Sequence, residues 1–172
     1  MSNKIGNKIT VSIFGQSHSE AIGCVIEGLP AGFRPNMDRI LNDIDRRRGG
    51  KNRYSTTRKE TDIPEIISGM VGGYTCGAPL CAIFANADTK SNDYANLRDI
   101  PRPGHADYTA HVRTEGYNDI RGGGEYSGRL TLPLTFAGSF VKQILEEKGL
   151  FILPSELFCN VRINAHKNEN LN

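Results

Sequence analysis

Apolar and polar positions alternate over residues 8–14, with Ile9, Val11 and Ile13 on one side of the pattern, until Gly15 interrupts it. That period of two predicts a strand with one buried face. Residues 21–27 (Ala-Ile-Gly-Cys-Val-Ile-Glu) predict a second strand, closed by Gly28, Pro30 and Gly32. The period then lengthens, because Met37, Ile40, Leu41 and Ile44 recur at i, i+3, i+4 and i+7. This is one face of a helix, and Asn36 has the side chain to cap its first turn. The run Asp45-Arg46-Arg47-Arg48-Gly49-Gly50 ends it, since cations suit a helix C-terminus and glycine suits the residue beyond.

A polar loop over residues 51–62 leads to two further strands, at 65–71 and 79–85, the second marked by Leu80, Ala82 and Phe84. Another long loop spans 86–103, and residues 105–115 read as a short helix. Ala137, Val141, Ile144 and Leu145 predict an amphipathic helix over 133–148, capped at Gly149. Antiparallel-looking strands mixed with separate helices point to an α+β fold rather than a doubly wound α/β one. Residues 1–149 read as one domain. Residues 150–172 carry no turn chemistry or periodicity and read as a frayed tail.

Composition narrows the classes. The chain has 172 residues, long enough for a real core, and its mean hydropathy of −0.41 reflects abundant glycine rather than disorder. Its 21 Lys and Arg against 19 Asp and Glu leave a net charge of +2. That balance suits a small anionic ligand and argues against an electrostatic grip on a long polyanion such as nucleic acid. Cysteines fall at 24, 76, 81 and 159 with no Cys-x-x-Cys pair, so neither a metal site nor a disulfide framework is expected. No apolar run approaches the ~18 residues of a membrane span, and the polar N-terminus does not read as a signal peptide. The expectation is a soluble, cytoplasmic protein.

Four segments carry candidate chemistry. Gly15-Gln16-Ser17-His18-Ser19 follows the first strand directly, where His18 suits a general acid and Ser17 an anion ligand; the competing reading is a turn histidine satisfied by backbone. In Arg102-Pro103-Gly104-His105-Ala106-Asp107 the Pro-Gly pair forces a turn before an imidazole that titrates near neutral pH unaided. Asp107 stands too close to His105 for helical i,i+4 pairing, and a plain helix start is the competing reading. Arg46, Arg47, Arg48, Arg53, Arg58 and Lys59, with Ser55, Thr56 and Thr57, form either an anion pocket or a solvated face. Finally, Arg121-Gly122-Gly123-Gly124, which leads through Ser127 and Arg129 to the last helix, reads as a triple glycine opening a helix, with a tight hairpin as the competing reading. Its glycines offer bare backbone N–H groups to a phosphate, although it matches neither a Walker loop nor a dinucleotide fingerprint. A metal-dependent hydrolase using His18, His105 and Asp107 is a weaker alternative, because the ligand spacing of such sites is missing.

Taken in order, these segments resemble the N-terminal half of the chorismate synthase family. The matching stretches are Phe14 to His18, Gly28 to Gly32, Asp45 to Arg48, Arg53 to Glu60, Ser68-Gly69, Asn86 to Asp88, Asp93-Tyr94, Arg102 to Thr109 and Arg121 to Gly124. The resemblance implies half of a β-α-β sandwich, a helical layer against antiparallel sheets, assembled in the family as a homotetramer. It also implies a 1,4-anti elimination of phosphate from 5-enolpyruvylshikimate 3-phosphate, giving chorismate. Reduced FMN would be the cofactor, with NADPH at most its reductant. By the same resemblance His18 protonates the departing phosphate and His105 serves the flavin's proton balance. Ser17, Arg47, Arg53, Arg102 and Arg129 match substrate-holding positions, and His105, Gly124 and Ser127 match flavin-contacting ones.

The chain departs from the pattern at Gln16, commonly Glu, and at Ser19, commonly Gly. It also departs over Glu125 to Leu130, where the family commonly has Arg-Ser-Ser-Ala-Arg-Glu. Glu125 removes a positive charge beside the flavin phosphate. Family members run to roughly twice this length, and their second half supplies further flavin contacts and a proton-abstracting aspartate. The expectation is a truncated chain with impaired turnover, or an inactive anion- and flavin-binding fragment.

Overall fold

The computed structural model describes residues 3–49, 60–87, 100–154 and 161–164. Five strands form one antiparallel sheet in the order β1 (Lys4–Gly6), β2 (Thr10–Gly15), β3 (Ala21–Glu27), β7 (Leu80–Ala85) and β4 (Glu65–Ser68). The expected strand over 65–71 breaks at Gly69, where β4 ends and β5 (Met70–Val71) turns away to pair with β6 (Tyr74–Thr75). A Cβ on Gly69 would stand 2.4 Å from the Leu80 Cα, so only glycine lets the chain cross β7 there.

One face of the sheet is apolar by strict alternation. Val11 of β2, Ile22, Cys24 and Ile26 of β3, and Leu80, Ala82 and Phe84 of β7 are all buried. They pack against Ile40 and Ile44 of α1 (Met37–Arg47) and against Leu132, Phe136, Phe140 and Ile144 of α3 (Thr131–Glu147). Phe84 meets Phe136 edge-on at 5.8 Å between ring centroids, and Phe33 meets Phe140 at 5.7 Å. Each α+β expectation therefore has a physical counterpart: helices on one side, antiparallel strands on the other.

The helix ends follow their local chemistry. Asn36 caps α1 by accepting from the Arg39 amide at 3.1 Å, and the buried Gln143 of α3 binds both the N–H and the C=O of Asn36. At the other end of α3, Gly149 donates to Glu146 and Leu150 to Leu145, the paired bonds of a Schellman cap. The third helix, α2 (Asp107–Arg113), is short. Beyond α3, β8 (Phe151–Pro154) and β9 (Val161–Asn164) pair as an antiparallel ladder within a tail whose sequence signals no turn.

Candidate active site

β2 and β7 end, and β3 begins, at the same end of the sheet, and the expected chemistry collects there. The turn Gln16–Ser19 follows β2. Its Ser17 is buried, and the Ser17 amide donates to the Gly124 carbonyl at 3.1 Å. That bond ties the turn to the triple-glycine segment.

The glycines do not open a helix, as their sequence context predicted, for α3 begins only at Thr131. Gly122, Gly123 and Gly124 take φ values of 58°, 84° and 55° within an irregular 3-10 segment, so their amides do not form a helix N-terminus. Their lack of side chains serves a different purpose. A Cβ on Gly122 would stand 2.7 Å from His18 Nε2 and 2.5 Å from Ser17 Oγ. A Cβ on Gly123 would stand 2.9 Å from His105 Nε2. The two imidazoles therefore press against consecutive residues, whose Cα atoms are about 3.8 Å apart.

Two carboxylates of the site, Asp107 and Asp119, are each clamped by an arginine. Asp107, the first residue of α2, stands 2.6 Å from His105 Nδ1. It also accepts from the Arg102 amide, Nε and Nη2 at 3.0, 2.8 and 2.9 Å. These bonds, chiefly those from the Arg102 side chain, hold the Asp107 carboxyl well below the usual carboxylate range. Sequence spacing argued against a helical His105–Asp107 pair. The contact forms instead across two residues, because the chain curls at Pro103-Gly104 before the helix starts. Asp119 repeats the pattern. It accepts from the Arg121 amide, Nε and Nη2 at 3.0, 2.9 and 2.9 Å. The same clamp lowers its carboxyl, with a smaller contribution from the nearby His18.

The arginines form a third group. Arg129 is buried and its Nη1 pairs with the buried Asp62, while Nε donates to Asn86 Oδ1 at 3.0 Å. Arg47 Nη1 stands 3.5 Å from the same carboxylate, and Arg47 Nε donates to Thr131 Oγ1 at 2.9 Å. Arg48 joins Asp62 at 3.8 Å and Asp45 at 3.3 Å. Burial lowers the Arg47 guanidinium from its ordinary range; Asp62 opposes that effect and Arg129 adds to it. Three guanidiniums on Asp62 and Asp45 leave an excess positive charge, the condition an anion pocket needs. Arg47 also lines an open groove of about 460 Å³ between α1 and α3, together with Asp43, Arg46 and Lys142. No imidazole lines that groove.

The structure thus gathers Ser17, His18, Arg102, His105, Gly124 and Arg129 around one loop, with Arg47 beside it. Ser127 caps the next 3-10 turn by accepting from the Arg129 amide. Arg53, Arg58, Lys59 and the hydroxyls of residues 55–57 lie outside the described residues. Asp62 and Asn86 were not singled out from sequence for any chemistry. Among the described residues no cluster of three His, Cys, Asp or Glu could hold a metal ion. Burial pushes the Cys24 thiol up to about 12, so it behaves as a core hydrophobe. No helix among the described residues is long and apolar enough to cross a membrane.

A family profile described as Chorismate synthase matches residues 9–166, past the Gly149 boundary expected from sequence. The chain is 46% identical over 145 residues to the chorismate synthase of Thermococcus kodakarensis, covering 84% of this chain and 41% of that protein. It is 48% identical over 146 residues to the chorismate synthase of Polaromonas naphthalenivorans, with 85% and 40% covered. A crystal structure of a chorismate synthase superposes with a TM-score of 0.61 at 24% identity, covering 85% of this chain and 37% of the other. At that identity the superposition shows a shared fold. The chain spans about two fifths of the length of the curated relatives it matches.

Proposed function

Because the chain belongs to the chorismate synthase family, we propose that its site is built to eliminate phosphate from 5-enolpyruvylshikimate 3-phosphate, forming chorismate. The observation that carries this reading is the seating of two imidazoles on Gly122 and Gly123, with Asn86 bonding both the His18 turn and Arg129 of a guanidinium cluster with excess positive charge. A substrate bearing one phosphate and two carboxylates calls for such a cluster, and a phosphate leaving group calls for an acid beside it.

The roles are those the family resemblance implies, placed on this chain's own residues. His18, rigidly seated, delivers a proton to the departing phosphate as its C–O bond breaks. Asp107 takes the His105 Nδ1–H and leaves Nε2 as the proton-exchanging atom. By the resemblance Arg47 is the cation that takes the phosphate, while Arg129 contributes mainly its field, its donors being directed at Asp62 and Asn86. Ser17 and Arg102 complete the substrate side, and Arg53 joins them by resemblance alone.

By the resemblance, His105, Gly124 and Ser127 would hold a reduced FMN. A Cβ added at Gly104 or at Gly128 would meet nothing within 4 Å, so both are openings in the backbone surface. His105, Gly124 and Ser127 stand between those openings in the chain. When bound, reduced FMN would supply an electron-rich ring and would not be consumed overall, with NADPH at most its reductant. The cytoplasmic setting and homotetrameric assembly of the whole enzyme belong to the same proposal.

The test is anaerobic phosphate release from 5-enolpyruvylshikimate 3-phosphate in the presence of chemically reduced FMN. Release abolished by His18→Ala and His105→Ala supports an enzyme. A second reading is a chain that binds the anion and the flavin without turnover. Flavin binding with no phosphate release would select it.

A further inference from the structure

The Asn86 side chain links the guanidinium cluster to the turn that carries His18. At the end of β7, Nδ2 donates to the Ser19 carbonyl at 2.8 Å and to the Gln16 carbonyl at 3.3 Å, the two ends of that turn. Oδ1 accepts from Arg129 Nε at 3.0 Å, and Arg129 in turn holds the buried Asp62. The orientation of the amide is fixed by its partners. Reversed, its oxygen would face two carbonyls and its N–H groups would face a guanidinium. The backbone joins in, since the Asn86 amide donates to Glu20 at 2.9 Å.

From this chain of bonds we infer that Asn86 is a positioning residue, which sets the seat of His18 and couples it to the charge state of the arginine cluster. The Arg129 guanidinium polarises the amide and strengthens its two donor bonds to the turn. An anion drawing on Arg47 and Arg129 therefore acts on His18 through one side chain, without touching the turn itself. This inference rests on the proposed role of His18 as the proton donor, but its geometry does not require turnover.

The decisive variant is Asn86→Asp, which keeps the shape and the acceptor for Arg129 but turns two donors into acceptors facing carbonyls. Imidazole NMR signals of His18 and His105 are compared between the wild-type chain and N86D, with neither substrate nor flavin present. The expected result is a displaced His18 signal and an altered His18 titration midpoint, with His105 unchanged as internal reference. An unaltered His18, or equal changes in both histidines, would overturn the inference. If N86D does not melt cooperatively, the wild-type Asn86 side-chain amide decides: slow hydrogen exchange supports the bridge, and exchange as fast as that of a solvated asparagine refutes it. Because the signals are read without catalysis, absence of phosphate release would count against the proposed reaction and leave this result standing.

Discussion

His18 and His105 come from segments 87 residues apart, yet they rest on neighbouring glycines of one loop, Gly122 and Gly123. One peptide unit separates their seats. A methyl group at either seat would force the ring above it to shift, so the loop positions both rings by contact. This turns a glycine run from a generic ligand cradle into a spacer between two titratable groups.

Gly122→Ala and Gly123→Ala should therefore act selectively. Both positions have positive φ and both new methyl groups would fall under 3.0 Å from an imidazole. Each substitution is expected to cost about 1–3 kcal/mol, read from urea denaturation. G122A should displace the His18 imidazole signal and G123A that of His105; a crossed or common response contradicts the seating.

Asp107 links acid stability to the site. Its folded carboxyl is held below the usual range, mainly by Arg102, so on acidification the unfolded chain takes up this proton first. The stabilisation is complete above the ordinary carboxylate pKa of about 4 and is lost as pH falls below it. Asp107→Asn should cost about 1–3 kcal/mol at pH 7 and progressively less as pH is lowered from about 4 toward 2. Denaturation series across that range check this, and an equal cost throughout contradicts it.

The Asp62 hub should be the most sensitive polar position. Asp62→Asn leaves Arg129 buried beside Arg47 without its carboxylate, a loss of about 3–5 kcal/mol for a broken buried pair. Arg129→Met in the D62N background should restore part of that loss. Strictly additive costs in the double variant would show that the two residues do not act as a pair.

How much of this was legible in the chain depends on range. β3, α1 and the Asn36 cap were plain because period and capping act within a few residues. The break at Gly69 was hidden, since it answers to a contact with Leu80 on another strand. Asp62 and Asn86 look like ordinary loop residues, and their partner Arg129 lies 67 and 43 positions away. His105 was legible as a candidate, whereas its bond to Asp107 depends on a non-helical curl that no periodicity encodes. The glycine loop was noticed for the right composition and assigned the wrong geometry, because a helix two segments downstream made a phosphate cradle look natural.

Core packing makes an independent check on the fold. Phe136 is fully buried and meets both Phe84 and Phe140 edge-on or tilted. Phe136→Ala should lower stability by about 3–5 kcal/mol, measured as a shift in the urea midpoint at unchanged slope. A loss below about 1 kcal/mol would mean that α3 does not pack on β7 as described.

The claim on which the account turns is that both imidazoles serve one anionic ligand. Titrating the chain with 5-enolpyruvylshikimate 3-phosphate while following the imidazole NMR signals of His18 and His105 tests it directly. The account predicts that both signals move along a single saturation curve, and that Arg47→Ala weakens both responses together. Movement of one ring alone, or two curves with different midpoints, would contradict it.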